Sequence, residues 1–239
     1  MSEQSNKVTV VTVCRNCARM LEKTIESVET LSYPDIEYVI VDGASDDDTL
    51  NVIKKHEGKI DQWVSEPDRG IYDAMNKAVT MAKGDWVIFM NAGDVFASDD
   101  CVEKAMACAY DADVVYGDVV KGKGIVKRAG KWRNAHRMVF CHQSAFVRTE
   151  LLRRNPFDTA HRMSADFKFF KTVAKGGARF IHVDAPISVF DTTGVSNALR
   201  SKGLADNISV VFECDSVFDI MRFLPKLVVP YVMCRIRGK

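Results

Sequence analysis

Polar residues that suit a phosphate-bearing ligand follow three of the apolar runs in the first hundred residues. The clearest is the stretch 91–94, where an apolar run ends in an asparagine, an alanine, a glycine and an aspartate. A divalent cation held by Asp94 would bridge to a diphosphate. Asp42 follows an earlier run and would accept hydrogen bonds from a base or a ribose, and Arg69 would offset phosphate charge directly.

The elements that must position these residues alternate between strand and helix through the first 117 residues. This order predicts a parallel sheet with helices on both faces. Ligands of such sheets bind beyond the carboxyl ends of the strands, so the polar clusters are expected to share one edge. Continuous β-branched runs predict strands at 8–13, 36–41, 60–64, 86–90 and 113–117, and helical spacing predicts helices at 18–31, 46–56, 71–81 and 99–110.

Each of these polar residues also has a structural interpretation. The acidic run 46–48 is expected to cap a helix and to suit its first turn. Asp68 has the same interpretation for the next helix, and Asp42 and Asp94 taken singly are ordinary turn residues. Their joint placement on one edge is what favours a binding function.

The composition and the missing motifs exclude several classes of protein. The 239 residues carry a net charge of +1, which gives no reason to expect a nucleic-acid partner. Neither a Gly-x-Gly-x-x-Gly after the first strand nor a Walker-type Gly-Lys-Ser/Thr occurs, which disfavours dinucleotide-dependent dehydrogenases and P-loop enzymes.

The seven cysteines are scattered, and the first seven residues are polar, so we expect a reducing, cytoplasmic setting. Cys14 and Cys17 form a Cys-x-x-Cys pair without a second pair at zinc-site spacing. We therefore expect Cys14 to end a strand and Cys17 to open a helix, with no metal or redox role.

The second half of the chain follows a different pattern. The stretch 121–137 holds seven basic residues and no acidic one. Beyond it we predict a strand that ends with His142 and Gln143, a helix over 164–175, and strands at 179–183 and 187–190. We expect these elements to fold onto the same sheet, giving one domain over 1–215 with halves of about 1–117 and 118–215.

Four quoted stretches together carry a family resemblance. "VTVVTVCRN", "YVIVDGASDDDT", "SEPDRGIYDAMNKAVTMAKGDWVIFMNAGD" and "CHQSAFVR" resemble the family 2 glycosyltransferases of bacterial surface-polysaccharide synthesis, such as O-antigen or capsule synthesis. The resemblance implies a GT-A fold, which is an α/β, Rossmann-like, mostly parallel sheet. It also implies inverting transfer of a hexosyl or N-acetylhexosaminyl group from a nucleotide-sugar, most often a UDP-sugar, to a saccharide or a lipid-diphosphate-linked acceptor.

The resemblance also assigns roles to residues. In that family an Asp-x-Asp-type motif holds Mn²⁺ or Mg²⁺ against the donor diphosphate, and here only its last acid is kept, as Asp94. Because Asn91 and Gly93 stand where acids often occur, the diphosphate itself would have to supply metal ligands. The residues expected to bind the nucleotide-sugar are Val13, Arg15, Asp42, Arg69, Asn91 and Ala92.

Inverting transfer needs one general base, and in the resembled family it is an acid near the start of a later helix. Asp166 in "RMSADFKFF" matches that place, although Ser164 as a helix cap and Asp166 as a favourable first-turn acid form the structural alternative. The residues expected to serve the acceptor or an accessory role are His142 and Gln143, with Gly194 and Ser196 in a small-residue loop that would close over the donor. His161 is a weaker candidate of the same kind.

The segment 216–239 carries five basic residues and one acidic residue among many apolar ones. It predicts an amphipathic helix, broken at Pro230, that lies peripherally on the inner face of a membrane, where a lipid-linked acceptor would be. Packing on the domain or in a homodimer is the alternative. Two rival functions stay open: a sugar nucleotidyltransferase, which should carry a glycine-rich loop after the first strand, and a non-catalytic nucleotide-sugar-binding module.

Overall fold

The computed structural model describes residues 6–122, 124–190 and 200–236 and contains one mixed β-sheet flanked by helices. The strands are β1 (Val8–Cys14), β2 (Ile36–Asp42), β3 (Gln62–Ser65), β4 (Trp86–Phe89), β5 (Val95–Phe96), β6 (Val114–Lys121), β7 (Ile125–Lys127), β8 (Ala145–Arg148) and β9 (Phe180–Phe190). The helices are α1 (Ala18–Glu29), α2 (Thr49–Lys55), α3 (Ile71–Met81), α4 (Cys101–Met106), α5 (Thr149–Arg154), α6 (Ala165–Lys175), α7 (Arg200–Cys214) and α8 (Val217–Ile236).

The strand order is β3-β2-β1-β4-β8-β6-β9-β5, with β7 paired to β6 alone. The strands β3, β2, β1 and β4 are parallel, β8 is antiparallel to both β4 and β6, and β9 is parallel to β6. The carboxyl ends of β1 to β4 and of β6 therefore meet at one edge of the sheet. We call it the ligand edge, because this is where open α/β sheets bind their ligands.

Two apolar cores lie on the two faces of the sheet, as the alternation of side chains along each strand requires. Val10 and Ile40 face α1 and α4, whereas Val11 and Val39 face α3, α5 and α6. The sheet is thus covered on both sides, and the polar residues of its strands are left at the strand ends. This confirms the predicted α/β architecture.

Two local predictions need correction. Asp48 makes no capping hydrogen bond, and it is Asp47 whose Oδ1 accepts from the backbone N–H of Thr49 at 2.9 Å. The predicted strands at 179–183 and 187–190 form the single strand β9. Its pairing with β6 changes register around Asp118, but β9 is not interrupted there.

His142 and Gln143 do not end a strand, contrary to the sequence interpretation. They form a 3-10 turn over His142–Ser144 that directly precedes β8. Because β8 runs antiparallel to β4, its amino end lies where the neighbouring strands have their carboxyl ends. The reversal of strand direction is therefore what brings both side chains to the ligand edge.

The C-terminal helices α7 and α8 pack on α6 through a small apolar cluster that includes Phe167, Phe223 and Leu227. A buried ion pair of 2.7 Å between Lys171 and Asp215 ties the same elements together. Within the described ranges we find no helix whose length and apolarity would let it span a bilayer.

The expected break at Pro230 is wrong, because α8 runs through both Pro225 and Pro230. Each proline removes one backbone N–H and leaves the carbonyl four residues earlier without its helical partner. Those carbonyls belong to Met221 and Lys226, two exposed residues.

Candidate active site

The turn at residues 91–94 is held in place by a side chain from α1. Thr24 Oγ1 accepts the backbone N–H of Gly93 at 2.9 Å and donates to the backbone carbonyl of Asp94 at 2.8 Å. The φ angle of Gly93 is 104°, a left-handed conformation that favours glycine. The glycine in this stretch is thus required by the shape of the turn.

The side chains of this turn present oxygen atoms that suit a hard divalent cation. Asp94 is 4% exposed, and its Oδ2 accepts a hydrogen bond of 2.9 Å from Gln143 Nε2. Asn91 Oδ1 is buried and has no hydrogen-bond partner among the described residues. An orphaned amide oxygen beside a carboxylate fits a Mn²⁺ or Mg²⁺ site that a diphosphate would complete.

A second cluster is centred on Asp166 in the first turn of α6. Tyr72 Oη of α3 donates to Asp166 Oδ1 at 2.8 Å, and His142 Nδ1 donates to Asp166 Oδ2 at 3.1 Å. The other ring nitrogen of His142 lies 3.4 Å from Asn91 Nδ2. His142 therefore links the candidate base to the turn that holds the candidate metal ligands.

These contacts keep Asp166 ionised, although its side chain is only 14% exposed. Burial alone would raise the pKa of Asp166, but the hydrogen bond and charge of His142 and the hydroxyl of Tyr72 lower it below its usual range. Burial and the charge of Asp166 raise the pKa of Tyr72. Ser164 makes no capping bond, which weakens the structural alternative for this helix start.

Asn91 and Gln143 of the first cluster and Tyr72 and His142 of the second line a cavity of about 340 Å³. Asp94 and Asp166 are reached through these side chains and do not line it themselves. It brings together the predicted residues Arg69, Asn91, His142 and Gln143. Arg69 and Arg162 supply positive charge and Asp73 a negative one, and the rest of the lining combines polar and apolar side chains. The residues that line it are Arg69, Gly70, Ile71, Tyr72, Asp73, Met75, Asn91, His142, Gln143, Thr159, Arg162 and Met163.

Asp42 is fully buried and shapes the loop that follows β2. Its carboxylate accepts from the backbone N–H of Ser45 at 2.9 Å, from the hydroxyl of Ser65 at 2.6 Å, and from the hydroxyl of Ser45. A Cβ added at Gly43 would lie 2.3 Å from Asp68 Oδ2, so a larger residue there would require the side chain of Asp68 to move. Asp42 thus holds this loop at the ligand edge through its own hydrogen bonds.

The loops after β1 and β2 are cross-linked and locally strained. Asn16 and Ala44 adopt positive φ angles of 50° and 54°, which non-glycine residues seldom do. Ser45 Oγ accepts the backbone N–H of Asn16 at 2.8 Å, and Asn16 Oδ1 accepts that of Asp46 at 3.0 Å. Such strain concentrates where loops are shaped for binding.

The remaining predicted site residues are distributed as follows. The side chain of Val13 lies in the core, and only its carbonyl reaches the edge, where it accepts from the backbone N–H of Ala92 at 3.4 Å. Arg15 is exposed beside Gly43. Gly194 and Ser196 lie outside the described residues.

The two cysteines of the Cys-x-x-Cys pair lie where the sequence predicted them, with Cys14 ending β1 and Cys17 directly preceding α1. A hydrogen bond with the Cys17 thiol, together with burial, raises the pKa of the Cys14 thiol. Both thiols are free.

His161 does not reach the cavity, and it belongs to an ion-pair network instead. Its Nδ1 lies 2.7 Å from Asp206 of α7, and its Nε2 lies 3.1 Å from Glu213. Although Asp158, His161 and Glu213 are close enough to hold a metal, Lys168 Nζ already contacts both acids. The ammonium group of Lys168 therefore already balances the charge of these two carboxylates in the place a metal ion would take.

Sequence reasoning missed Tyr72, Thr24 and the loop residues Thr159, Arg162 and Met163. Tyr72 and Thr24 lie on helix faces with no spacing signal that separates them from core residues. The loop is held by Asp206, whose Oδ2 accepts the backbone N–H of Met163 at 2.8 Å. The partners on α7 are remote in sequence, so no local pattern marks them.

Comparison with known proteins agrees with this geometry. The family model described as glycosyl transferase family 2 matches residues 9–175. A PGL/p-HBAD biosynthesis glycosyltransferase of Mycobacterium tuberculosis is 29% identical over 201 residues, which cover 78% of this chain and 78% of the relative.

Solved structures show the same fold at lower identity. A mannosyltransferase from Pyrobaculum calidifontis, in complex with GDP-Man and Mn²⁺, has a TM-score of 0.70 at 23% identity. Residues 1–349 of S. aureus TarS in complex with UDP have a TM-score of 0.68 at 19% identity. The similarity covers 87% and 88% of this chain but only 63% and 67% of those two chains, so this chain spans less than two thirds of the mannosyltransferase.

Proposed function

Because the chain belongs to glycosyl transferase family 2, we propose that it transfers a sugar from a UDP-sugar, with inversion, to a saccharide or lipid-linked acceptor in surface glycan synthesis. The observation that carries the proposal is the Tyr72–Asp166–His142 cluster beside the 91–94 turn, at a cavity that also holds Arg69. The relative named for PGL/p-HBAD biosynthesis supports a surface-glycan role.

In this mechanism Asp166 acts as the general base. It takes the proton from the acceptor hydroxyl while that oxygen attacks the anomeric carbon, and the bond to the diphosphate breaks with its electron pair leaving on phosphate. The lowered pKa of Asp166 keeps the carboxylate ready at neutral pH. A single carboxylate working from the acceptor side leads to inversion, because no enzyme-bound sugar forms.

The leaving diphosphate needs positive charge, and the cavity offers Arg69 and Arg162. Asp94 and Asn91 Oδ1 would hold Mn²⁺ or Mg²⁺, and the bound cation would offset charge on the diphosphate. The loops carrying Gly43 and Arg15 would receive the base and ribose at the ligand edge. Gln143 positions Asp94 through its hydrogen bond.

A thermal-shift series tests the donor site. UDP, GDP, CDP and dTDP are each added with and without Mn²⁺ to the wild type, to Asp94→Ala and to the exposed control Asp99→Ala. We expect UDP to raise the Tm of the wild type and of the control, and to raise it further when Mn²⁺ is present. In Asp94→Ala this additional rise with Mn²⁺ should be absent. Stabilisation by a different nucleotide would overturn the UDP assignment, and no stabilisation by any nucleotide would overturn the proposal.

We propose further that the enzyme works in the cytoplasm and attaches peripherally to the inner face of a membrane through α8. This helix is apolar on two faces: Phe223, Leu227 and Cys234 pack on the protein, whereas the opposite face is open. The exposed apolar residues of α8 are Val217, Phe218, Met221, Val228, Val229, Val232, Met233 and Ile236. Exposed Arg222, Lys226 and Arg235 on the same helix suit anionic lipid headgroups.

Co-sedimentation with vesicles tests this attachment. We expect the full chain to bind phosphatidylglycerol vesicles more strongly than phosphatidylcholine vesicles, and a Met221→Gln/Val229→Asn variant to bind both less. Val126→Thr, which alters an exposed apolar residue on β7, is the matched control. If light scattering shows that the same α8 variant instead dissociates a homodimer and leaves vesicle binding unchanged, the membrane assignment is wrong.

A further inference from the structure

Two cysteines at the ligand edge, Cys14 and Cys17, have no role in the mechanism above, and we call them the thiol pair. Cys14 is the last residue of β1, and Cys17 directly precedes the first residue of α1. Arg15 and Asn16 form a bend between them, where Asn16 has its positive φ angle. Across this bend the two thiols form a hydrogen bond, and both cysteines pack in the same apolar core. Two thiols that are already in contact can form a disulfide with little movement of the backbone.

The two thiols have different environments, as expected for a reactive pair. The hydrogen bond with Cys17 and burial raise the pKa of the Cys14 thiol, which therefore stays protonated. Cys17 is only half-buried at the amino end of the 12-residue helix α1, and the hydrogen bond from Cys14 lowers the pKa of its thiol. The thiolate is the reactive form of cysteine, and the amino end of a helix also favours it. Cys17 is thus the nucleophile of the thiol pair, and Cys14 is the thiol that would resolve its oxidised form.

The thiol pair is bonded at both of its residues to the segment that follows β2. The backbone carbonyl of Cys14 accepts the N–H of Gly43 at 2.9 Å, and Cys14 Sγ donates to Asp42 Oδ1 at 3.7 Å. Thr49 Oγ1 accepts the backbone N–H of Cys17 at 3.0 Å. A disulfide would draw the two sulfurs together and remove the S–H donor to Asp42. It would therefore disturb the loop at which we place the base and ribose of the donor.

We propose that hydrogen peroxide converts the thiol pair into a disulfide, and that this disulfide weakens binding of the nucleotide-sugar. The sulfur of Cys17 attacks one peroxide oxygen, the O–O bond breaks, and a sulfenic acid and water form. The sulfur of Cys14 then attacks the sulfur of Cys17, the S–O bond breaks, and a second water leaves. The two thiols give up two electrons and two protons, which reduce one peroxide to two waters. A dithiol reverses the change by thiol–disulfide exchange.

This assignment suits the reducing setting expected from the sequence, because disulfides inside cells are usually transient and serve redox sensing or catalysis. It replaces the expectation, drawn from cysteine spacing alone, that the thiol pair has no redox role. The effect on nucleotide-sugar binding rests on the proposed transferase function, whereas formation of the disulfide does not depend on it.

Peptide mapping of the full chain after treatment with hydrogen peroxide tests whether the disulfide forms. Trypsin cleaves after Arg15, between the two cysteines, so a disulfide would join peptides 8–15 and 16–19. We expect the joined peptides in the wild type and in the matched control Cys108→Ser, which removes another half-buried free thiol outside the pair. Dithiothreitol should separate them. Absence of the joined peptides from the oxidised wild type overturns the proposal.

UDP affinity with Mn²⁺, measured before oxidation, after removal of the peroxide and again after dithiothreitol, tests the effect on the donor site. We expect at least about fivefold weaker binding by the oxidised wild type and Cys108→Ser, restored by dithiothreitol, and no change on oxidation of Cys17→Ser. Unchanged affinity in wild type that carries the joined peptides, or a loss that persists in Cys17→Ser, overturns the proposal. Failure of the reduced wild type to bind UDP would count against the donor site itself, while the joined peptides would still decide the disulfide.

Discussion

The two halves of the site are built in different ways. In the first half, Asp42 at the end of β2 is held by Ser45 in the loop that follows and by Ser65 at the end of the neighbouring strand β3. In the second half, Asp166 is held by Tyr72, 94 residues earlier in the chain, and by His142, 24 residues earlier. The nucleotide side is thus shaped by its own loops, whereas the reactive carboxylate depends on the packing of three remote elements.

Because of this difference, we expect substitutions on the nucleotide side to act mainly by lowering the free energy of unfolding. Asp42→Ala would leave the half-buried donors of Ser45 and Ser65 without their acceptor, and we expect the free energy of unfolding to fall by about 1–3 kcal/mol. Asp46→Ala, an exposed neighbour, should change it by no more than about 0.5 kcal/mol. Urea unfolding of the three proteins measures both effects, and equal losses would show that the hydrogen bonds of Asp42 do not hold the loop.

Changes on the reactive side should instead alter the pH dependence of activity. His142→Phe removes a donor that lowers the pKa of Asp166, so that pKa should rise. Because Asp166 works as a base only when ionised, the acidic limb of kcat/KM should move to higher pH, by up to about one unit. His136→Phe lies outside the cavity and should leave the profile unchanged. An acidic limb that does not move in His142→Phe would separate His142 from the base.

The smallest effect is expected at the network that fastens α7 to the loop beside the cavity. Burial would lower the pKa of His161, but its hydrogen bonds to Asp206 and Glu213 outweigh burial and raise it. Protonated His161 contributes its full stabilisation at pH values below its pKa in the unfolded chain, which is about 6.5. This stabilisation is lost as the pH rises through the higher pKa that His161 has in the folded protein.

Asp206→Asn should therefore lower Tm more at pH 6 than at pH 8.5. The difference corresponds to about 1 kcal/mol or less in the free energy of unfolding. Asp184→Asn, which changes an exposed carboxylate on β9, is the control. A loss of Tm that is the same at both pH values would show that the charge of His161 is not involved.

The same contrast explains how far the sequence could predict the structure. Strands β1 and β2 are continuous apolar runs rich in β-branched residues, and the polar ends of the first strands could be assigned to one edge from topology alone. The positions of Asp94 after β4 and of Asp166 in the first turn of α6 were also predictable from local pattern and family resemblance.

What the sequence could not show is contact between remote elements. Tyr72 looks like a core residue of an amphipathic helix, and nothing near it marks the bond to Asp166. The direction of β8 in the sheet also has no local signal, because an apolar run has the same pattern whether the strand pairs parallel or antiparallel. His142 and Gln143 were therefore placed at the wrong end of a strand, although their presence at the site was predicted.

The two apolar faces of α8 could not be told apart from the sequence for a related reason. Phe223 and Leu227 pack against the protein, while Met221 and Val229 stay exposed on the same helix. Hydrophobicity alone does not distinguish an apolar face that packs from one that remains open.

The central claim is that Asp166 is the base of a nucleotide-sugar transferase, and turnover of Asp166→Asn tests it most directly. UDP release from the UDP-sugar is measured with water in the acceptor's place, alongside the thermal shift caused by UDP. We predict that kcat falls by about 10²- to 10⁴-fold while the UDP-induced shift is unchanged. Turnover within fivefold of the wild type, at equal UDP binding, would contradict the account.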